Sequence, residues 1–230
     1  MTSFISCTSR PAALSAWTKS AAVFALTSFA AMASAANINF TVVDKSGEPM
    51  QDVVLYAEPV SGQAVAPAKK EIQTISQHDL SFDPYVMPLQ VGTQVKFPNN
   101  DKFEHHVKSF SPAKEFQFKI YNKGELPPPV TFDKPGVVVI YCLLHGWMRS
   151  YVYAVDTPYF TKTDKAGTAK LSGLVDGTYE IKAWHPDFGE LRKPLMQQAK
   201  LSGDTTVPMT FSFDIKPKKK KEPQQPKPVY

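Results

Sequence analysis

Cys142, His145 and Met148 lie close together in the run Cys142-Leu143-Leu144-His145-Gly146-Trp147-Met148, a C-x2-H-x2-M spacing. The run falls where one β-rich segment, Val137 to Cys142, ends and another, Arg149 to Val155, begins. Thiolate, imidazole and thioether are soft or borderline ligands. One Cys and two His in a trigonal set, with a long axial Met, suit a copper ion that changes oxidation state. One loop can bring three such groups to one ion because a chain turning from strand to strand folds back on itself. The remaining imidazole must then come from a neighbouring strand. The segment Asn99-Asn100-Asp101-Lys102-Phe103-Glu104-His105-His106-Val107 offers two. Successive residues of a strand face opposite sides. Phe103, His105 and Val107 form one apolar face, while Glu104, His106 and Lys108 form a polar one. His105 is therefore the expected ligand, and His106 a surface histidine or one that braces the site.

Ligand count excludes several other metal chemistries. The chain has two cysteines, Cys7 and Cys142. Zinc sites of four thiolates, or of three and one imidazole, need more, as does an all-thiolate iron–sulfur cluster. There is no C-x-x-C-H for covalent haem and no C-x-x-C redox pair. A Cys–His nucleophilic pair remains an alternative, although Met148 has no part in it. A closed ligand set leaves no position for substrate, so the chain is expected not to be an enzyme. His78 reads as a surface residue, His185 as a strand-end residue, and Met87, Met196 and Met209 as core packing. Trp147 either covers the site or, with Leu143, Leu144 and Gly146, surrounds an exposed edge of His145 as a docking patch.

The elements that must position these groups are strands. Short runs rich in Val, Ile, Thr, Tyr and Phe are separated by Gly, Pro, Asn and Asp. They are Phe40 to Val43, Val53 to Ala57, Gln94 to Phe97, Val137 to Cys142, Tyr151 to Val155, Tyr179 to Trp184 and Thr210 to Phe213. Twenty prolines argue against long helices. The fold class is all-β. Residues 1–35 read as an export signal. Arg10 and Lys19 precede the apolar run Ala21 to Met32, and Ala33-Ser34-Ala35 supplies small residues before a cut ahead of Ala36. Cys7 leaves with that signal, so Cys142 enters an oxidising compartment without an intramolecular partner. The net charge of +5 resides at the ends: Arg10 and Lys19 give +2, and six Lys against Asp214 and Glu222 give +4, which leaves −1 for the body. A basic nucleic-acid-binding face is thereby disfavoured. Residues 216–230, rich in Lys, Pro and Gln, read as a basic disordered tail.

Two resemblances bear on these residues. Asn99-Asn100 with His105 and Val107, then Thr131-Phe132-Asp133-Lys134-Pro135-Gly136 leading to Tyr141-Cys142, and the C-x2-H-x2-M loop itself, resemble the cupredoxins, in the short-loop form of amicyanin. Leu143-Leu144 stands where that family often has Thr/Ser-Pro, and His106 where a bracing Asn is common. The resemblance covers residues 68–157. It implies a Greek-key sandwich that binds one type 1 copper through His105, Cys142, His145 and Met148. Outside it, Asp44-Lys45-Ser46-Gly47 recurs as Asp164-Lys165-Ala166-Gly167, each between extended segments, as in hairpin turns. With Val53-Val54-Leu55 and Gly177-Thr178-Tyr179-Glu180-Ile181, these turns resemble the two halves of the carboxypeptidase regulatory-like sandwich, an Ig/prealbumin-like fold. That resemblance implies a second, discontinuous β-sandwich of residues 36–67 and 158–215, with the cupredoxin-like domain inserted at a loop tip.

The expected function is a periplasmic electron carrier with one copper ion, working with a periplasmic redox protein or dehydrogenase. Copper delivery or storage is the alternative, and a binding or structural β-protein with an incidental metal site is a third reading. The Lys-rich tail offers weak contact with an anionic membrane or an acidic partner.

Overall fold

The computed structural model describes residues 1–3, 35–60, 71–189 and 191–218. The expected export signal lies almost wholly outside these residues, as does the tail beyond Lys218. From Ala35 onward the described chain forms one compact unit. It contains seventeen strands, one 3-10 turn at Pro186–Phe188 and no α-helix among the described residues. The strands, in chain order, are β1 (Ala36–Val43), β2 (Val54–Pro59), β3 (Gln73–Thr74), β4 (Ser76–His78), β5 (Ser81–Asp83), β6 (Val86–Gln90), β7 (Thr93–Lys96), β8 (Val107–Ser111), β9 (Lys114–Gln117), β10 (Val130–Phe132), β11 (Gly136–Cys142), β12 (Arg149–Val155), β13 (Phe160–Lys162), β14 (Thr168–Leu174), β15 (Gly177–Trp184), β16 (Leu195–Leu201) and β17 (Thr206–Ser212). The fold is all-β.

Among the described residues, strands β1 and β2 pair only with strands that follow residue 159. Sheet β14-β1-β17 holds β1 antiparallel to β14 and parallel to β17, and sheet β13-β2-β15-β16 holds β2 antiparallel to both its neighbours. Strands β3 to β12 pair among themselves, chiefly in the five-stranded sheet β6-β12-β11-β8-β9 and the three-stranded sheet β10-β7-β3.

The period of two in β11 and β12 serves two cores at once. Val138, Ile140, Val152 and Ala154 face the core that also holds Phe97, Phe132, Cys142 and Met148. Val137, Val139, Tyr151, Tyr153 and Val155 face the core of Phe40, Tyr179, Trp184 and Phe211. Near-continuous apolar runs are what a strand buried on both faces requires. Trp184 packs on Tyr153 with ring centroids 5.1 Å apart, and the Tyr56 and Tyr153 hydroxyls meet at 3.0 Å. Strands β11 and β12 thus share an apolar layer with β2 and β15.

The repeated turn is built alike at both places. Asp44 Oδ1 accepts the Ser46 and Glu48 N–H groups, and Asp164 Oδ1 accepts those of Ala166 and Thr168. Neither turn joins paired strands. The first carries the chain from β1 to β2 and the second from β13 to β14, so both cross between sheets. The expected hairpin is therefore local only: Val43 and Pro49 form an isolated antiparallel bridge around the first turn, while the Asx side chains satisfy the loops' own N–H groups. Met196 also departs from expectation. It is half exposed on the outer sheet strand β16, whereas Met87 and Met209 are buried.

Candidate metal centre

Register brings the candidate ligands together. In the β8–β11 pair, Cys142 lies opposite Val107, and the Leu143 N–H donates to the His106 carbonyl. His105, two residues before Val107 on the same face, is thereby carried beside the cysteine. Its backbone is fixed by reciprocal bonds with Tyr121, at 3.2 and 3.1 Å. On the other side, the loop after Cys142 closes on itself. The Met148 N–H donates to the His145 carbonyl at 2.8 Å, and the Cys142 N–H donates to the Met148 carbonyl at 3.3 Å.

Cys142 Sγ lies 3.6 Å from His105 Nδ1 and 3.5 Å from His145 Nδ1. The three ligand atoms all fall within 4.8 Å of one another. Metal–nitrogen distances of about 2.0–2.1 Å and metal–sulfur distances of about 2.3 Å give sulfur–nitrogen separations of roughly 3.5–3.8 Å at tetrahedral to trigonal angles. The observed separations therefore fit a single ion held between them. His105 is fully buried and Cys142 nearly so. Met148 is buried in the same core as Cys142, and its backbone bonds to both Cys142 and His145.

Burial favours the neutral form of both rings. Burial lowers the His105 pKa, and the neighbouring His145 lowers it further against the pull of Asp101. Burial also lowers that of His145, with Asp101 opposing. A neutral imidazole offers a lone pair. At His105, Nδ1 faces the sulfur while Nε2 lies 3.4 Å from Asp101 Oδ2. The nearby carboxylate favours a proton on Nε2, although that nitrogen, fully buried, has no partner in hydrogen-bonding geometry.

Sequence reasoning assigned no role to Asp101 or Asn99. Asp101 Oδ2 accepts the Leu80 N–H at 2.7 Å, and Oδ1 accepts that of Lys102 at 2.8 Å. Burial alone would raise the Asp101 pKa, but these two bonds and His105 hold it below the ordinary carboxylate value. Asn99, fully buried, donates to the Phe103 and Tyr121 carbonyls and accepts the Asp101 N–H. It locks the loop that leads into His105. The available signal was the run Asn99-Asn100-Asp101 just before a strand, where Asx side chains satisfy turn backbone. His106 points away from the cluster and bonds Gln117 at 2.8 Å.

The cap over the cluster is apolar. Phe103 and Trp147 flank the His145 ring, with centroids at 6.2 and 5.4 Å, and the Trp147 indole N–H donates to the Leu80 carbonyl. Leu143 and Leu144 are about half exposed beside a partly exposed His145.

The chain is similar in part to solved copper proteins. The purple cupredoxin of Nitrosopumilus maritimus is 23% identical, covering 36% of this chain and 99% of its own, at a TM-score of 0.33. The copper-containing nitrite reductase of Thermus scotoductus SA-01 is 28% identical over 43% of this chain, at a TM-score of 0.35, and this chain spans only 25% of its length. A reduced mutant of amicyanin is 17% identical over 44% of this chain and 99% of its own, at a TM-score of 0.35. No family model and no curated protein matches the chain.

Proposed function

We propose that this protein is an exported electron carrier that holds one type 1 copper ion through His105, Cys142 and His145, with Met148 as the weak axial ligand. The observation that carries the reading is the approach of one buried thiol to two Nδ1 atoms at 3.5 and 3.6 Å. A bound copper ion would supply one-electron redox chemistry. The protein residues hold and orient. Asp101 and Asn99 fix the His105 ring, the Cys142–Met148 backbone bond closes the loop, and the apolar cap keeps water from the sulfur. His145 alone among the three ligands reaches the surface, which supports it as the contact for a periplasmic redox protein or dehydrogenase. We further propose residues 68–157 as the copper domain, inserted in a regulatory-like sandwich of 36–67 and 158–215. The separate pairing of β3 to β12 supports these bounds.

The test is the visible spectrum of copper-loaded, oxidised protein. An intense thiolate-to-copper band that disappears in Cys142→Ser is expected. Tight copper binding without that band would overturn the carrier reading and favour copper delivery or storage.

A further inference from the structure

Leu80 stands at the tip of the β4–β5 hairpin, where His78 pairs with Ser81 and only Asp79 and Leu80 turn the chain. Both have left-handed backbone, with φ of +48° and +55°. Two-residue hairpins with positive φ at both positions favour Asn-Gly, because a bulky side chain strains a left-handed backbone. Such strain persists where the surroundings hold the residue in place, and Leu80 is held on three sides. Its side chain is buried in the core that contains Cys142 and Met148. Its N–H donates to Asp101 Oδ2 at 2.7 Å, and its carbonyl accepts the Trp147 indole N–H at 3.2 Å.

The two partners serve different histidines. Asp101 Oδ2 lies 3.4 Å from His105 Nε2, and the Trp147 ring packs on the His145 ring at 5.4 Å. One residue therefore joins the group that faces one imidazole to the group that faces the other. The hairpin is also tied to the Asp101 loop. The Gln77 N–H donates to the Pro98 carbonyl, the Asn100 N–H to the Gln77 carbonyl, and the Asn100 side chain to Ser76 Oγ at 2.7 Å. The Trp147 bond carries this frame across to the loop that follows Cys142.

We propose that Leu80 is a positioning residue, whose peptide groups clamp Asp101 to Trp147 and so hold the His105 and His145 rings at one spacing before any ion binds. Side chains fixed in advance lose little freedom when a ligand arrives. The use of the clamp rests on the copper reading, while the clamp itself is a property of the metal-free protein.

Amide hydrogen exchange in metal-free protein tests it, in a His145→Ala background that removes the direct contact between the two imidazoles. Adding Trp147→Phe, which deletes the indole N–H, should speed exchange of the Lys102 and His105 amides by about threefold or more, near the low end of coupling through a shared partner. Adding Asp101→Ala instead should speed the Met148 amide to a similar degree. The Ile181 amide, in β15, should keep its rate. Changes confined to the substituted side of Leu80 would overturn the proposal, and so would equal acceleration at Ile181, which would mean general destabilisation. With His145 intact, Trp147→Phe should weaken copper(I) binding about fivefold or more in competition with a chromophoric chelator, and unchanged affinity would overturn the positioning role. A wild-type chain that binds no copper(I) would sink the carrier reading, and the exchange rates would then decide the clamp alone.

Discussion

Asp101 links three parts of the site: the Leu80 turn, its own loop and the His105 ring. Asp101→Asn removes a negative charge 3.4 Å from a ligand imidazole while keeping its shape. Copper-loaded protein should keep its visible band, and its reduction potential should rise, because the oxidised ion is the more sensitive to a lost anion. Electrochemistry decides, and a lowered potential would contradict the electrostatic role. Asn99→Ala removes the acceptor of the buried Asp101 N–H and the side-chain donor to the Phe103 carbonyl, and leaves the Tyr121 carbonyl with the His105 N–H alone, so a loss of about 2 kcal/mol is expected from urea titration. His106→Ala should alter the spectrum far less than His105→Ala. The ligand candidates were legible because one cysteine survives the expected export cut and strand parity separates His105 from His106. The Asn99-Asn100-Asp101 run was visible, but the contacts that Asn99 and Asp101 make were not. Their roles depend on Leu80 and Tyr121 arriving from other segments, and no local spacing records that.

At the scale of elements, Gly167 shows how the turn that crosses between sheets is fixed. Its φ is +70°, its carbonyl accepts the Val42 N–H, and an added Cβ would sit 2.5 Å from the Val42 oxygen. Gly167→Ala should lower stability by roughly 2–5 kcal/mol, from left-handed backbone strain together with the clash. Gly47, with φ +83° and open space around it, should lose only the strain part, about 1–2 kcal/mol. Thermal melts of both variants test the difference. The longer strands were readable as β-branched and aromatic runs. Strand β16 was not, because on its exposed stretch Met196, Gln197 and Gln198 point to solvent without an apolar alternation. The short strands β3, β4 and β5 owe their pairing to neighbours rather than to composition. The Asp-Lys-x-Gly repeat was visible, but its role as a crossing depends on which sheet each flanking strand joins.

At the scale of the whole molecule, β11 and β12 face both apolar cores and so couple them. Trp184→Ala should cost about 3–5 kcal/mol, and metal-free protein should lose its Cys142 protection and the signals of the Trp184 core in one transition rather than two. Two separate transitions would show that the layer is only a contact. The parallel pairing of Asn37 with Thr206, at opposite ends of the described fold, carries a kinetic consequence. Bringing such distant segments together requires closing a very long loop, whose entropy must be met before any contact between them rewards it. Strands β6 to β12 lie much nearer one another along the chain, and their hydrogen bonds can form while both ends are still searching. Refolding should therefore be sequential. Cys142 should become inaccessible to a thiol reagent in an early phase, and Trp184 emission, followed in a Trp17→Phe/Trp147→Phe background, should reach its native value only in a later one. Synchronous phases would mean that the β1–β17 pairing forms together with β6 to β12 instead.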